Sequence, residues 1–206
     1  MLRQLASLVA PPLCAVCAQP CEPAGALCPG CERRLALLRP VRSTLPSGLE
    51  VISAAPYEGI AKEVVRRLKF ASRLALAEVA AERMVRAWGA TRTGWLIPVP
   101  AAPARERARG FDDAAMLARL VARECRNARV MPCLVRDDGP RQVRRPRAER
   151  IADPPRARLT HPLPPGDLWL VDDVATTGAT LTGCAHELRE SGAERVRALT
   201  FARADN

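Results

Sequence analysis

The segment from Leu168 to Thr180 reads LWLVDDVATTGAT, an apolar run followed by two acids, two threonines and a glycine. Its apolar run predicts a buried strand, and the small residues around Gly178 predict a tight turn into a helix. Backbone N–H groups at a helix start bind phosphate, because the helix dipole is positive there. Asp172 and Asp173 precede the turn at the carboxyl end of the strand, where open α/β sheets bind ligands. Because carboxylates accept hydrogen bonds from a vicinal diol, the segment predicts a ribose 5-phosphate site.

The alternative interpretation of this segment is an ordinary strand-to-helix turn with a solvated acidic pair. The joint occurrence of strand, acids, threonines and glycine favours the sugar-phosphate site. Two other phosphate-binding patterns, the G-K-[ST] of a Walker loop and the G-x-G-x-x-G of a dinucleotide fold, do not occur in the sequence.

Five of the eight cysteines crowd near the N-terminus and contain the pattern C-x2-C-x10-C-x2-C, formed by Cys14, Cys17, Cys28 and Cys31. Two such pairs supply four sulfurs to a tetrahedral, closed, structural zinc site. A disulfide framework and a thioredoxin-like redox pair are the alternatives. A disulfide framework is disfavoured because a short amphipathic helix, and not a secretory signal, is expected at the N-terminus, and a redox site needs only one C-x-x-C pair. Cys21 is either a spare thiol or a substitute ligand.

The charge of the chain favours an anionic partner. Its 206 residues carry a formal net charge of +10, and only Lys62 and Lys69 are lysine. The preference for arginine over lysine is typical of coding bias, but the excess over acids is not, so a polyanionic substrate or weakly bound single-stranded DNA is expected. Aromatic residues, at 3%, are too few to form stacking platforms for single strands.

Periodicity predicts an α/β architecture with a parallel sheet, because strand and helix patterns alternate from Glu50 onward. We expect a zinc module and linker over residues 1–45 and an α/β domain over residues 46–206, and we interpret RPVRSTLPSGL, residues 39–49, as linker sequence at this boundary. The polar, proline-rich stretch from Arg136 to Asp167 is expected to be irregular. The first ten residues predict a short amphipathic helix, with a secretory signal as the alternative, and no segment reaches the roughly 18 apolar residues of a membrane span. A cytoplasmic location is therefore expected.

The order of motifs along the chain resembles the ComF family, which includes proteins linked to DNA uptake in natural competence and GntX-type proteins. The matching features are the cysteine pairs, Y-x-G with L-K-F, I-P-V-P, R-G-F, an arginine-rich loop, VDDVATTGAT and a terminal FAR. The resemblance implies a type I phosphoribosyltransferase fold with a small N-terminal zinc module. It also implies binding of phosphoribosyl pyrophosphate (PRPP) with Mg²⁺ and transfer of the phosphoribosyl group to an acceptor that the motifs do not identify. The alternative is a non-catalytic PRPP sensor or a DNA-binding accessory protein of the uptake machinery.

The resemblance also implies roles for individual residues. The ribose-phosphate loop comprises Asp172, Asp173, Ala175, Thr176, Thr177, Gly178, Ala179 and Thr180. The residues expected to bind pyrophosphate are Arg105, Arg107 and Arg109, because guanidinium groups bind phosphate oxygens well. The residues expected in a flexible loop over the site are Gln142, Arg145 and Arg150. A solvated basic surface is the alternative for both arginine groups, and Lys69 is either a substrate contact or a helix-end lysine.

One motif departs from the family pattern. The family usually has R-G-[FY]-N-Q-A where this chain has RGFDDA, so Asp112 and Asp113 replace an amide pair. Acids would repel a diphosphate, and we expect them instead to cap the following helix and occupy its first turn. Neither His161 nor His186 has the partners of a catalytic triad, so both are interpreted as structural.

Overall fold

The computed structural model describes residues 12–22, 25–68, 73–102, 112–136 and 157–204. Five helices and eight strands lie in this part of the chain. The helices are α1 (Pro29–Ala36), α2 (Gly59–Leu68), α3 (Arg73–Trp88), α4 (Asp113–Glu124) and α5 (Ala179–Glu190). The strands are β1 (Val41–Thr44), β2 (Glu50–Pro56), β3 (Gly94–Pro98), β4 (Ala128–Val130), β5 (Leu134–Arg136), β6 (Ala157–Leu159), β7 (Leu168–Ala175) and β8 (Val196–Arg203).

Six of the strands form one mostly parallel sheet in the order β1-β2-β8-β7-β3-β4. All neighbours in this sheet run parallel except β1, which pairs antiparallel with β2 at the edge. Strands β5 and β6 form a separate antiparallel pair. The prediction of an α/β protein is confirmed, and the sheet is mixed because of its one antiparallel edge strand.

Helix α2 shows how the apolar spacing determines local structure. Ile60, Val64, Val65 and Leu68 recur on one face of a 3.6-residue period, and all four side chains are buried. Within the described residues, no helix combines the length and the apolar composition needed to cross a bilayer. The short helix predicted over the first ten residues lies outside the described part of the chain.

The two faces of the sheet pack against different helices. Successive side chains of a strand point to opposite faces, so Trp169 and Leu170 of β7 join different core clusters. Trp169 packs among residues of α3 and α4, where its ring meets Trp88 edge to face with centroids 5.5 Å apart. Leu170 packs on the other face with Leu181 of α5. The helix that follows the acidic segment is therefore held against the sheet by its own apolar side.

The cysteine-rich N-terminal segment shares a core with the α/β part of the protein. Leu27 and Leu35 are buried in the same cluster as Ile60 and Val64 of α2. Arg83 of α3 also donates a hydrogen bond of 2.6 Å to a backbone carbonyl just after α1. The segment is thus packed onto α2 and α3, and the division at residues 45 and 46 stays a prediction.

The prediction that RPVRSTLPSGL is only a linker is wrong, because residues Val41–Thr44 form the edge strand β1. A tight turn at Gly48, with φ of +75°, reverses the chain, and the backbone N–H of Leu45 donates to the carbonyl of Leu49 at 2.9 Å. Both leucines are buried and anchor the hairpin. The neighbouring prolines do not prevent the strand, since they flank it at the edge of the sheet.

The stretch from Arg136 to Asp167 is also more regular than predicted at its two ends. Strand β5 ends at Arg136, and β6 pairs with it through Ala157, Arg158 and Leu159. The backbone N–H of Leu159 donates to Glu187 of α5 at 2.9 Å, which ties this strand pair to the helix after the acidic segment. Residues 137–156 between them lie outside the described part of the chain.

Candidate functional site

The four predicted zinc ligands lie together. The sulfur atoms of Cys14, Cys17, Cys28 and Cys31 are all within 4.8 Å of one another. Only Cys17 is exposed, and all four thiols are free of disulfides. The cluster can hold a metal ion, because four sulfurs at this spacing match the donor set of a closed tetrahedral site.

Local backbone structure brings each cysteine pair together. The first pair flanks a turn in which Ala18, at φ of +59°, donates its N–H to the carbonyl of Cys14 at 2.9 Å. The second pair lies at the start of α1, where Cys28 is the N-cap residue and Cys31 falls in the first turn. Pro29 follows the N-cap, a position that needs no backbone N–H donor.

The cluster contains thiols of unequal acidity. Burial disfavours the Cys14 thiolate, but three backbone hydrogen bonds outweigh it and lower the pKa of Cys14 to about 6. A hydrogen bond from the backbone of Cys31 lowers the pKa of Cys28, whereas burial raises the pKa of the Cys31 thiol. A bound dication supplies the charge that stabilises all four thiolates, so metal binding releases the protons that remain.

Cys21 lies beside the cluster but not within it. Its sulfur donates to the backbone carbonyls of Pro12 and Gly25, each at 3.4 Å. Burial raises the pKa of this thiol, which keeps it protonated and able to donate. In this arrangement the fifth cysteine supports the backbone around the cluster.

The acidic pair lies at the carboxyl end of β7, an interior strand, and is part of the strand itself. Asp172 is half-buried, and its Oδ1 accepts the backbone N–H of Asp173 at 2.8 Å. Asp173 is only 8% exposed, so the alternative interpretation, a solvated acidic pair, does not fit this residue. Asp173 lies within the strand, and both faces of this sheet are packed against helices.

The turn after the strand ends in a glycine N-cap and is open to solvent. Gly178, at φ of +75°, is the N-cap residue of α5, and Thr177 Oγ1 accepts the N–H of Ala179 at 3.3 Å. Thr176 is exposed, so the turn remains accessible to solvent. The first N–H groups of α5 and those of the turn therefore lie at the edge of the sheet that carries the acidic pair.

Arg203 and Leu45 also contact this turn. From the sequence, Arg203 was noted only as the end of the terminal FAR, with no role assigned, and Leu45 was not singled out. Arg203, the last residue of β8, donates to the backbone carbonyls of Ala175 and Thr176. The side chain of Leu45, from the loop after β1, packs against Gly178. No local signal identifies either contact, because both partners come from distant parts of the chain.

Replacing Gly178 with alanine should destabilise the fold by about 2 to 4 kcal/mol, since a left-handed alanine costs about 1–2 and displacement of a packed side chain adds a similar amount. The added Cβ would overlap Leu45 Cδ1 and lie 2.8 Å from its Cδ2. Gly192→Ala is the matched control, because Gly192 has φ of +95° after the same helix but open space around it. Thermal or urea unfolding measures both variants. Equal losses would show that the Leu45 contact adds nothing.

Asp112 confirms the expectation of a helix cap. Its Oδ1 accepts the backbone N–H of Ala115 at 3.0 Å at the start of α4, and Asp113 lies in the first turn.

His161 and His186 are both exposed, and His161 Nδ1 lies 2.9 Å from the hydroxyl of Thr160. Arg105, Arg107, Arg109, Gln142, Arg145 and Arg150, like Lys69, lie outside the described residues, so their roles stay predictions.

A separate cavity of about 350 Å³ opens near the amino ends of the strands. Arg92 and Arg197 lie over the ring of Trp169 there, with guanidinium carbons 5.5 and 4.5 Å from its centroid. Arg197 also pairs with Asp167 at 2.7 Å. None of the described residues that line this cavity belongs to the predicted sugar-phosphate loop.

Comparison with known proteins does not add a family assignment. A scan against protein-family models and a search of curated proteins found no match to this chain. The resemblance to the ComF family stays a prediction. What is established is an α/β protein with a mostly parallel sheet, a four-cysteine cluster that can hold a metal ion, and an acidic strand end followed by a glycine-capped turn.

Proposed function

We propose that this protein binds PRPP at the turn after β7 and transfers its phosphoribosyl group to an acceptor not yet identified. The observation that carries the proposal is the position of Asp172 and Asp173 near the carboxyl end of an interior strand, two residues before the turn that leads to Gly178. Backbone N–H groups of the turn can bind a phosphate, and the two carboxylates can accept hydrogen bonds from a vicinal diol. A ribose 5-phosphate contains both of these groups.

The proposal includes a type I phosphoribosyltransferase fold and the ComF-like association with DNA uptake. The mostly parallel sheet and the helix after β7 support the fold assignment without distinguishing it from other α/β folds. The cysteine cluster supports a structural zinc module at the N-terminus. Association with DNA uptake rests only on the order of the sequence motifs.

In the proposed reaction, a nitrogen nucleophile forms a bond to the anomeric carbon while the bond to pyrophosphate breaks. Pyrophosphate leaves with the bonding electron pair, and the proton of the nucleophile passes to the departing pyrophosphate or to water. The protein orients the ribose through Asp172 and Asp173 and holds the 5-phosphate at the turn, so it needs no covalent nucleophile. Mg²⁺, when bound, would offset charge on the pyrophosphate, held largely by the ligand's own oxygens.

Titration calorimetry with PRPP and Mg²⁺, followed by pyrophosphate release with a panel of nucleobases and amines, tests the proposal. Binding with release in the presence of one acceptor supports transfer. Binding of PRPP without release of pyrophosphate in the presence of any acceptor would favour the non-catalytic sensor. Absence of PRPP binding would contradict the proposal, and salt-sensitive binding of single-stranded DNA would then favour the accessory role.

Thr177→Val should weaken PRPP binding by about 1 to 3 kcal/mol, the cost of losing a hydrogen bond to a charged group. The Thr177 hydroxyl oxygen accepts the N–H of Ala179, which leaves its hydrogen able to donate to phosphate. Thr91→Val is the control, because Thr91 is exposed in the turn before β3, at the opposite end of the sheet. Calorimetry compares the two, and equal affinities would remove Thr177 from the site.

A further inference from the structure

Arg203 forms a bridge from the end of β8 to the backbone that follows β7. Arg203 and Ala175 are register partners in the neighbouring parallel strands. The Nη1 atom of Arg203 donates to the Ala175 carbonyl at 3.0 Å and to the carbonyl of Thr176. One guanidinium group therefore holds two successive carbonyls at the start of the candidate phosphate loop.

The backbone at Arg203 is hydrogen-bonded to the chain on both sides of strand β8. Its carbonyl accepts the N–H of Tyr57 at 2.6 Å, and the N–H of Ala204 donates to the carbonyl of Ala175 at 2.9 Å. Arg203 is half-buried and directly follows Phe201 and Ala202, which belong to the core. The guanidinium group thus starts from a rigid base, which a positioning role requires.

The orientation of the carbonyls determines the orientation of the neighbouring amides. Both peptide bonds are trans, so the C=O of one residue and the N–H of the next point in opposite directions. Because Arg203 holds the carbonyls of Ala175 and Thr176, the N–H groups of Thr176 and Thr177 point away from the guanidinium. A rotated peptide would instead turn a carbonyl oxygen toward an incoming phosphate and repel it.

We propose that Arg203 is a positioning residue that orients the amides of Thr176 and Thr177 toward the 5-phosphate. This inference rests on the proposed function of the loop. The arginine lies on the carbonyl side, where it fixes the turn before the ligand arrives and adds positive charge beneath it. Lysine is a poor substitute, because an ammonium group lacks the planar fork that holds several acceptors in a fixed geometry.

The test compares Arg203→Met, Arg203→Lys and the control Arg195→Met. Arg195 lies just before the same strand at its other end, where its exposed guanidinium pairs with Asp167 at 3.2 Å. We expect Arg203→Met to weaken binding of PRPP with Mg²⁺ about 10- to 100-fold, the loss expected for hydrogen bonds to a charged group. Arg203→Lys should recover part of that loss, and Arg195→Met should bind as the unchanged chain does.

Residual dipolar couplings of the Thr176 and Thr177 amides, measured without ligand, provide the readout that general destabilisation would not change. We expect these two N–H vectors to reorient in Arg203→Met and to stay in place in Arg195→Met. Unchanged vectors, or unchanged PRPP affinity in a folded Arg203→Met, would overturn the inference while leaving the proposed function intact. If Arg203→Met does not fold, Arg203→Lys provides the same comparison. Failure of the unchanged chain to bind PRPP would overturn both proposals.

Discussion

Replacing Asp172 and Asp173 together with asparagine should abolish measurable PRPP binding while the chain keeps its fold. Each carboxylate would accept a charge-assisted hydrogen bond from a ribose hydroxyl, worth about 1.5 to 3 kcal/mol. Loss of both corresponds to about a hundredfold or greater loss of affinity. Calorimetry with PRPP and Mg²⁺ measures the effect.

Asparagine is preferred to alanine because Asp173 is 8% exposed and Asp172 is half-buried, so truncation would leave a cavity at the end of β7. The amide keeps the shape of the side chain, removes its charge and replaces one acceptor oxygen with an NH2 donor. Asp167→Asn is the control, because Asp167 lies just before the other end of the same strand and pairs with Arg197. Unchanged PRPP affinity in the double variant, with a normal melting curve, would return this segment to an ordinary strand-to-helix turn.

Removing the metal should have the second large effect. We expect one zinc ion per chain at Cys14, Cys17, Cys28 and Cys31, and less than about half an equivalent in protein purified without chelator would contradict this. In small zinc-binding units the metal contributes about 10 to 16 kcal/mol of apparent binding free energy, most of which is folding free energy. Stripping the zinc should therefore unfold residues around the cluster.

The effect should extend beyond the cysteine-rich segment. Leu27 and Leu35 share a core with Ile60 and Val64 of α2, so unfolding of the segment exposes apolar surface on that helix. Cys31→Ser should lose zinc and lower the melting temperature. Cys21→Ser is the matched control, because a serine hydroxyl also donates to the carbonyls of Pro12 and Gly25. Elemental analysis and thermal unfolding distinguish the two variants, and a stable, zinc-loaded Cys31→Ser would exclude this ligand set.

The sequence alone predicted the features of the fold and site that depend on interactions between residues close together in the chain. The spacing of Ile60, Val64 and Leu68 predicts a helix with one buried face, and the structure confirms it. The two C-x2-C pairs predict a four-sulfur cluster, because each pair needs only a turn of a few residues to aim both sulfurs at one point. Strand and helix patterns likewise predict the α/β class, since each depends on a period of two or 3.6 residues.

The acidic strand end and its turn were also predictable in position. A run of apolar residues before Asp172 and a glycine at residue 178 mark the strand and the helix start without reference to the rest of the chain. The sequence did not predict that Asp173 is buried. That property depends on the helices that cover the sheet, and those helices come from other parts of the chain.

Only the tertiary structure decided how the candidate site is supported. Arg203 contacts Ala175 across 28 residues, and Leu45 reaches Gly178 across a still longer separation, because the order of strands in the sheet brings them together. Strand β1 has a similar origin: Val41–Thr44 is too short to show a clear period and becomes a strand by pairing with β2. Local spacing sets each element and its chemistry, whereas contacts between distant residues exist only once the sheet order is fixed.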